Sequence, residues 1–154
     1  MAFHDYAILT FVFLLGLCIG SFLNVCIFRI PESLSIVRPP SSCPACATPI
    51  KYYDNIPVFS YLLLGGKCRN CKMPISLRYP LVELLTGLFA LSLFIKFGLT
   101  IEFLIFFVFV ALLLVITFID IDHRIIPDLI SLPGIPIFLF ASLALPSVTI
   151  LDSI

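Results

Sequence analysis

The stretch from Ala7 to Phe28 runs for 22 residues without a charge. Coiled as an α-helix at about 1.5 Å per residue, it reaches across a hydrocarbon layer roughly 30 Å thick. No surface element of a soluble domain looks like this, so the run is either a membrane helix or a removable signal. Its flanks decide between the two. Met1 to Tyr6 holds neither Lys nor Arg, and the apolar run exceeds the core of about 7–15 residues found in a secretory signal. The sequence therefore predicts a retained membrane helix.

Three further apolar runs follow. Leu81 to Phe97 is interrupted only by Glu83 near its start and Lys96 near its end, and Phe103 to Ile119 is uninterrupted. Leu129 to Leu151 is apolar but holds Pro133, Gly134, Pro136 and Pro146, so this fourth span is expected to be kinked or irregular at its start. Composition agrees with four spans. The chain is 61% hydrophobic and 12% charged, where a soluble domain is about half apolar and a quarter charged. Lipid must solvate part of this surface. Neither a basic domain nor a nucleic-acid footprint is visible, and no nucleic-acid partner is expected. The fold class expected is an all-α polytopic membrane protein. Its regions are a first helix over 1–28, a polar loop over 29–80 and a helical membrane region over 81–154.

Charge placement orients these regions. Arg29, Arg38, Lys51, Lys67, Arg69, Lys72 and Arg78 put seven of the nine basic residues in the loop. Retention of Lys and Arg on the inner side places that loop in the cytoplasm and the N-terminus outside. The second and third spans then form a hairpin with its outer turn near Lys96 to Glu102. The third span returns to the inner side at Asp120 to Asp128, so both polar regions meet on one face.

The loop carries Cys43-Pro-Ala-Cys46 and Cys68-Arg-Asn-Cys71, two CxxC pairs separated by 21 residues. Four thiolates at this spacing suit tetrahedral zinc, each turn supplying two ligands. Two disulfides are the competing reading, and a reducing cytoplasm argues against them. With four protein ligands the metal keeps no open position, so its role is structural. It would also supply folding energy to a loop without an obvious apolar core. Cys18 and Cys26 fall in the first span and read as small packing residues.

Other polar groups sit in or beside the apolar runs. Gly16, Gly20 and Asn24 recur every four residues on one helix face, which permits close helix contact and leaves Asn24 in need of a partner. Glu83 sits at a helix start, where the dipole favours it. Asp120 directly follows an apolar run near a helix C-terminus, where the dipole disfavours a carboxylate. An interfacial stop signal competes there with a general acid or base. Asp128 follows Pro127 and reads as a cap of the fourth helix, while His123 and Arg124 read as positive-inside anchors.

Taken together these motifs resemble the prepilin peptidase family, the membrane aspartic leader peptidases of type IV pilus and type II secretion systems. The resemblance rests on Gly20-Ser-Phe-Leu-Asn-Val25 with Arg29-Ile-Pro31, on Cys43-Pro-Ala-Cys46, Asp54-Asn-Ile-Pro57 and Ser60-Tyr-Leu62. Cys68-Arg-Asn-Cys71, Ile75-Ser-Leu-Arg-Tyr-Pro80, Glu83-Leu-Leu-Thr-Gly87 and Asp120 with Ile126-Pro127-Asp128 extend it, so that it runs from about residue 16 to 135. It implies an enzyme of the bacterial inner membrane that cuts the leader from prepilins or pseudopilins after a glycine at the cytoplasmic face. It further implies methylation of the new N-terminus with S-adenosylmethionine, the cysteine loop being associated with the methylating region.

The same resemblance makes Asp120 the first catalytic aspartate, through the spacing from Asp120 to Pro127; Asp122 matches less well. The family's second catalytic aspartate belongs to a Gly-x-Gly-Asp motif that these 154 residues do not contain. Asp152 lies at the opposite end of the fourth span and does not replace it. The chain is accordingly expected to be an incomplete form, without proteolytic activity alone. Two other readings stand beside this one: a non-catalytic membrane scaffold presenting a zinc-bound loop, and a methyltransferase activity without proteolysis.

Overall fold

A computed structural model describes residues 3–142. Among them are five α-helices and no strand: α1 (Phe3–Arg29), α2 (Phe59–Leu63), α3 (Arg78–Phe97), α4 (Ile101–His123) and α5 (Asp128–Ser142), with a 3-10 turn at Tyr52–Asn55. Three of the helices, α1, α3 and α4, are long and apolar enough to cross a membrane, and α5 is a shorter apolar helix. The expected all-α polytopic architecture with a cysteine-bearing loop is therefore what the chain adopts. Pro146 and Asp152 lie outside the described residues.

Helices that share lipid on both sides gain little from apolar burial, so they associate by close packing and by satisfying polar groups. The α1–α3 seam does both. A Cβ built on Gly16 would lie 2.8 Å from both Ala90 Cβ and Gly87 Cα, and one on Gly20 would lie 2.7 Å from Glu83 Cα. From the other side, a Cβ on Gly87 would meet Leu17 at 2.8 Å and Phe13 at 2.9 Å. Backbone therefore rests on backbone where the glycines meet. The small-residue spacing read from α1 is a packing seam, and Gly87 is its counterpart on α3.

The third helix closes the core. Leu23, Cys26, Ile27, Val82, Ala111, Val115 and Ile119 form one buried cluster, while Val12, Ala90 and Phe107 form a second farther along the bundle. Cys26 is a packing residue as expected, but Cys18 is exposed, on the part of α1 turned away from its neighbours. The α3–α4 hairpin turns at Gly98, whose φ of +65° suits glycine, and Thr100 opens α4 by accepting the Phe103 N–H at 3.3 Å.

The far end of α4 differs in detail from expectation. Arg124 closes the helix in a left-handed conformation, φ +55° and ψ +39°, donating its N–H to the Asp120 carbonyl at 2.8 Å. Asp128 is the first residue of α5 and not its cap. The first carbonyl of that helix belongs to Pro127, which accepts from Ile130 at 3.0 Å and Ser131 at 3.1 Å. Asp128 is thus placed to meet the helix dipole. The fourth span, expected to be irregular at its start, is an unbroken helix through Pro133 and Pro136. Both prolines lie beyond its first turn, so each removes one intrahelical donor without ending the helix. Edge-to-face packing of Phe109 on Phe138, ring centres 4.9 Å apart, joins α5 to α4.

Candidate functional site

The two CxxC segments fold alike. In the first, Cys43 donates its N–H to Thr48 at 3.0 Å, Ala47 donates to Cys43 at 2.8 Å, and Ile50 donates to Ser41 at 2.8 Å. In the second, Cys68 donates to Met73 at 2.8 Å, Lys72 to Cys68 at 3.1 Å, and Ile75 to Gly66 at 2.7 Å. A single antiparallel bridge closes each turn, Ser42 with Pro49 and Lys67 with Pro74. Ala47 and Lys72, each directly after the second cysteine, carry positive φ of 54° and 61°. These are two copies of one knuckle, and the repeat is visible in the sequence beyond the cysteine spacing. Cys43-Pro-Ala-Cys46-Ala-Thr-Pro-Ile50 repeats as Cys68-Arg-Asn-Cys71-Lys-Met-Pro-Ile75.

The knuckles face one another. The Sγ atoms of Cys43, Cys46, Cys68 and Cys71 all lie within 4.8 Å of one another, with Cys43 and Cys71 3.8 Å apart. Zn–S bonds of about 2.3 Å in a tetrahedron require S···S edges of about 3.8 Å, whereas a disulfide needs about 2.05 Å. All four cysteines are free thiols. Their electrostatics also fit a cation. The Thr48 hydroxyl and backbone, then the Asn70 amide, hold the Cys46 thiol down to about 6. At Cys71 the Met73 backbone pulls downward, but burial and the neighbouring sulfurs outweigh it and leave that thiol at about 11. Four thiolates this close cannot all ionise without a positive charge among them, and a dication held by the four would supply it.

Side chains other than the cysteines hold the knuckles together. The Asn70 amide crosses from the second knuckle to donate to the Thr48 hydroxyl at 3.0 Å and to Cys46 Sγ at 3.7 Å. Arg69 grips Asp54 through Nε at 2.9 Å and a second nitrogen at 2.7 Å, joining the knuckle to the 3-10 turn. That guanidinium holds the Asp54 carboxyl below its ordinary range. Arg29, counted above only as a positive charge, is buried and donates to the carbonyls of Ser35 and Pro39, each at 2.7 Å. It thereby folds the first part of the loop back onto the end of α1.

The loop is also fixed to the bundle. Asn24 donates to the Tyr79 carbonyl at 3.0 Å, tying α1 to the start of α3. Glu83 was read as a dipole partner at a helix start. Instead it is buried in the second turn of α3 and accepts the Val58 N–H at 2.7 Å. Arg78, the first residue of α3, forms an ion pair with Asp122 in the last turn of α4. This pair brings the α3 start and the α4 end together, so the two polar regions do meet at one end of the bundle.

Asp120 and Asp122 part company here. Asp120 lies in the same last turn but is exposed, and among the described residues its carboxylate has no hydrogen-bond or ion-pair partner. The spacing to Pro127 favours Asp120, but which of the two is paired is set by Arg78, 42 residues earlier than Asp120, and is not legible in the sequence.

Comparison with known proteins gives a consistent picture. A family model described as the bacterial peptidase A24 N-terminal domain matches residues 14–97, which comprise most of α1, the cysteine loop and α3. Proteins named prepilin leader peptidase/N-methyltransferase are similar over most of this chain. That of Myxococcus xanthus is 52% identical over 124 residues, covering 80% of this chain and 37% of its own length. The Neisseria gonorrhoeae protein is 40% identical over 77% of this chain and 50% of its own length. For the Pseudomonas aeruginosa protein the figures are 37% identity, 86% and 54%. The chain thus spans about half the length of the curated relatives it matches, or less. No solved structure matches it. With more than half of its residues matched by the family model, the chain belongs to the bacterial peptidase A24 N-terminal domain family.

Proposed function

We propose that this chain acts in prepilin maturation as an aspartic membrane endopeptidase, with Asp120 as one of its two catalytic carboxylates. The observation that carries the reading is the contrast at the end of α4. Asp122 is committed to Arg78, whereas Asp120 is unpaired and exposed in the turn beside it. A carboxylate engaged by a guanidinium is taken up by that contact, while an unpaired one at the end of the helix is free to meet water or a leaving amine. Aspartic proteolysis needs two carboxylates that share one proton, one activating water and the other polarising the scissile carbonyl. The partner of Asp120 in this reading is the aspartate of the expected Gly-x-Gly-Asp motif.

The relatives' names include N-methyltransferase. Methylation of the newly exposed N-terminus, with S-adenosylmethionine as donor, belongs to the same reading. The cysteine loop would support it by presenting a rigid, metal-stapled surface over the bundle end. Zinc at Cys43, Cys46, Cys68 and Cys71 would act structurally, since four thiolates complete its coordination. The bias of seven basic residues among nine supports a cytoplasmic loop and an inner-membrane location. The polypeptide substrate would then be a prepilin or pseudopilin whose leader lies on that side.

Leader cleavage of a model prepilin in membranes tests the reading. The chain is compared with a form extended through a downstream Gly-x-Gly-Asp motif, each with and without Asp120→Asn. Cleavage by the extended form that disappears with Asp120→Asn, and survives in part with Asp122→Asn, is the expected result. Full cleavage by the extended Asp120→Asn form would remove Asp120 from the chemistry.

A further inference from the structure

Most of the apolar surface on this protein belongs to helices long and apolar enough to span a bilayer, but the polar loop also exposes large apolar side chains, at Leu34, Ile36 and Val37 and again on its one α-helix. The short helix α2 reads Phe59-Ser-Tyr-Leu-Leu63 and leaves Phe59 55%, Leu62 68% and Leu63 85% exposed. Its remaining large side chain turns inward. Tyr61 donates its hydroxyl to the Ile75 carbonyl at 3.3 Å, and its ring fills the space beside Gly66. The loop's own fold therefore uses Tyr61 and leaves the other three unemployed. A single exposed leucine needs no explanation. Three large apolar side chains on five residues do.

The position of α2 supplies one. The N–H of Val58, directly before the helix, donates to Glu83 Oε2 at 2.7 Å. Glu83 lies five residues into a membrane-spanning helix, about 7 Å along the axis from its start. Helical side chains lean toward the N-terminus, so the contact falls within the first turn or so of α3. Val58 is held there at φ +61°, a region that β-branched residues avoid. After α2 the chain turns through Gly65 and Gly66, at φ +59° and +67°, back to Lys67 and the second knuckle. Thus α2 begins level with the end of a membrane helix, while Tyr61 ties its other side to the second knuckle. Leu77, 73% exposed, precedes α3 at the same level.

We propose that α2 is a membrane-interface anchor, with Phe59, Leu62 and Leu63 seated at the boundary between headgroups and acyl chains and Glu83 fixing its depth. The bilayer is favoured over a protein occupant because the patch continues the lipid-contacting level of α3. This inference does not depend on the proposed proteolytic activity.

The chain contains no tryptophan, so Leu63→Trp introduces a sole reporter. The whole chain is placed in phosphatidylcholine vesicles, with and without lipids brominated near the headgroup end of the acyl chain. Tyr52→Trp, at a position 88% exposed on the 3-10 turn, serves as the comparison. The expected result is blue-shifted emission from Leu63→Trp and several-fold stronger bromolipid quenching than from Tyr52→Trp. Adding Glu83→Ala should shift the emission to the red and weaken the quenching, with helix content by circular dichroism unchanged. Glu83→Gln, which keeps an acceptor oxygen, should preserve most of it. Water-like emission without quenching overturns the proposal. Blue-shifted emission without bromolipid quenching overturns it too, because protein and not lipid would then cover α2. Quenching indifferent to Glu83→Ala overturns the role given to Glu83.

Discussion

Replacing Gly20 by alanine adds one methyl group, and the structure gives that methyl no room. Its carbon would lie 2.7 Å from Glu83 Cα and 3.0 Å from both Thr86 Cβ and Thr86 Oγ1. Ordinary contact begins at 3.4 Å. Two of the three obstacles are fixed to the helix, being a backbone carbon and a Cβ, so rotating a side chain does not relieve the clash. The helices must part locally by about 0.7 Å, and a radial gap of that size forfeits a quarter to a half of each dispersion contact along the seam. Overpacking of this kind costs about 1–3 kcal/mol. Since 1.4 kcal/mol is a factor of ten in an equilibrium constant, the folding equilibrium constant in mixed detergent should fall by roughly one to two decades. The assay is unfolding by increasing mole fraction of dodecyl sulfate, followed by circular dichroism. Gly134→Ala is the control, because a Cβ there meets nothing within 4 Å and the residue lies inside α5. Gly16→Ala should behave like Gly20→Ala and be partly rescued by Ala90→Gly, since Ala90 Cβ is one of its two 2.8 Å neighbours. Equal unfolding of Gly20→Ala, Gly134→Ala and the parent would refute the claim that backbone-to-backbone packing holds α1 to α3.

Three other outcomes are expected. Arg78→Gln and Asp122→Asn should each weaken the α3–α4 junction, with a double-mutant coupling of about 1 kcal/mol for a partly exposed pair; additive losses would show that the pair does not couple. Removing zinc with a chelator, or Cys43→Ser, should open the loop to proteolysis at Lys51 and Lys67 while helix content holds, because metal binding supplies about 10–16 kcal/mol in comparable structural sites; an unchanged digestion pattern would sink the structural role. Finally, Arg69 lowers the folded-state Asp54 carboxyl, first by its hydrogen bonds. The stabilisation is therefore complete above the ordinary aspartate range and disappears as pH falls through the lowered folded-state value. Loop protection measured down through that acid range should decline more steeply in the parent than in Asp54→Asn, and parallel curves would count against the pair.

Much of the architecture was legible because membrane helices are specified locally. The uncharged run ending at Phe28, the hairpin around Gly98 and the stop at Asp120 follow from the length of an apolar helix and the cost of charge in hydrocarbon, and neither depends on distant residues. The cysteine centre was equally readable, since a CxxC turn brings its two sulfurs together whatever surrounds it, and only the approach of the two knuckles was left open. The small-residue face of α1 was visible as Gly16 and Gly20, but its partner Gly87 was not, because a single helix does not say which face of its neighbour it meets.

What tertiary structure alone decided are the polar contacts between segments far apart in the chain. Glu83 reads as an ordinary charge near a helix start until the Val58 N–H is found 2.7 Å away, 25 residues earlier. Arg29 reads as a topology signal until it is seen holding two loop carbonyls. Spacing to Pro127 favours Asp120 over Asp122, but that Arg78 engages Asp122 and leaves Asp120 unpaired is decided only by the packing of α3 beside α4. The division has one physical cause. Hydrophobic length and ligand spacing act within one segment of backbone, whereas the partner of a buried charge is set by which helices pack side by side.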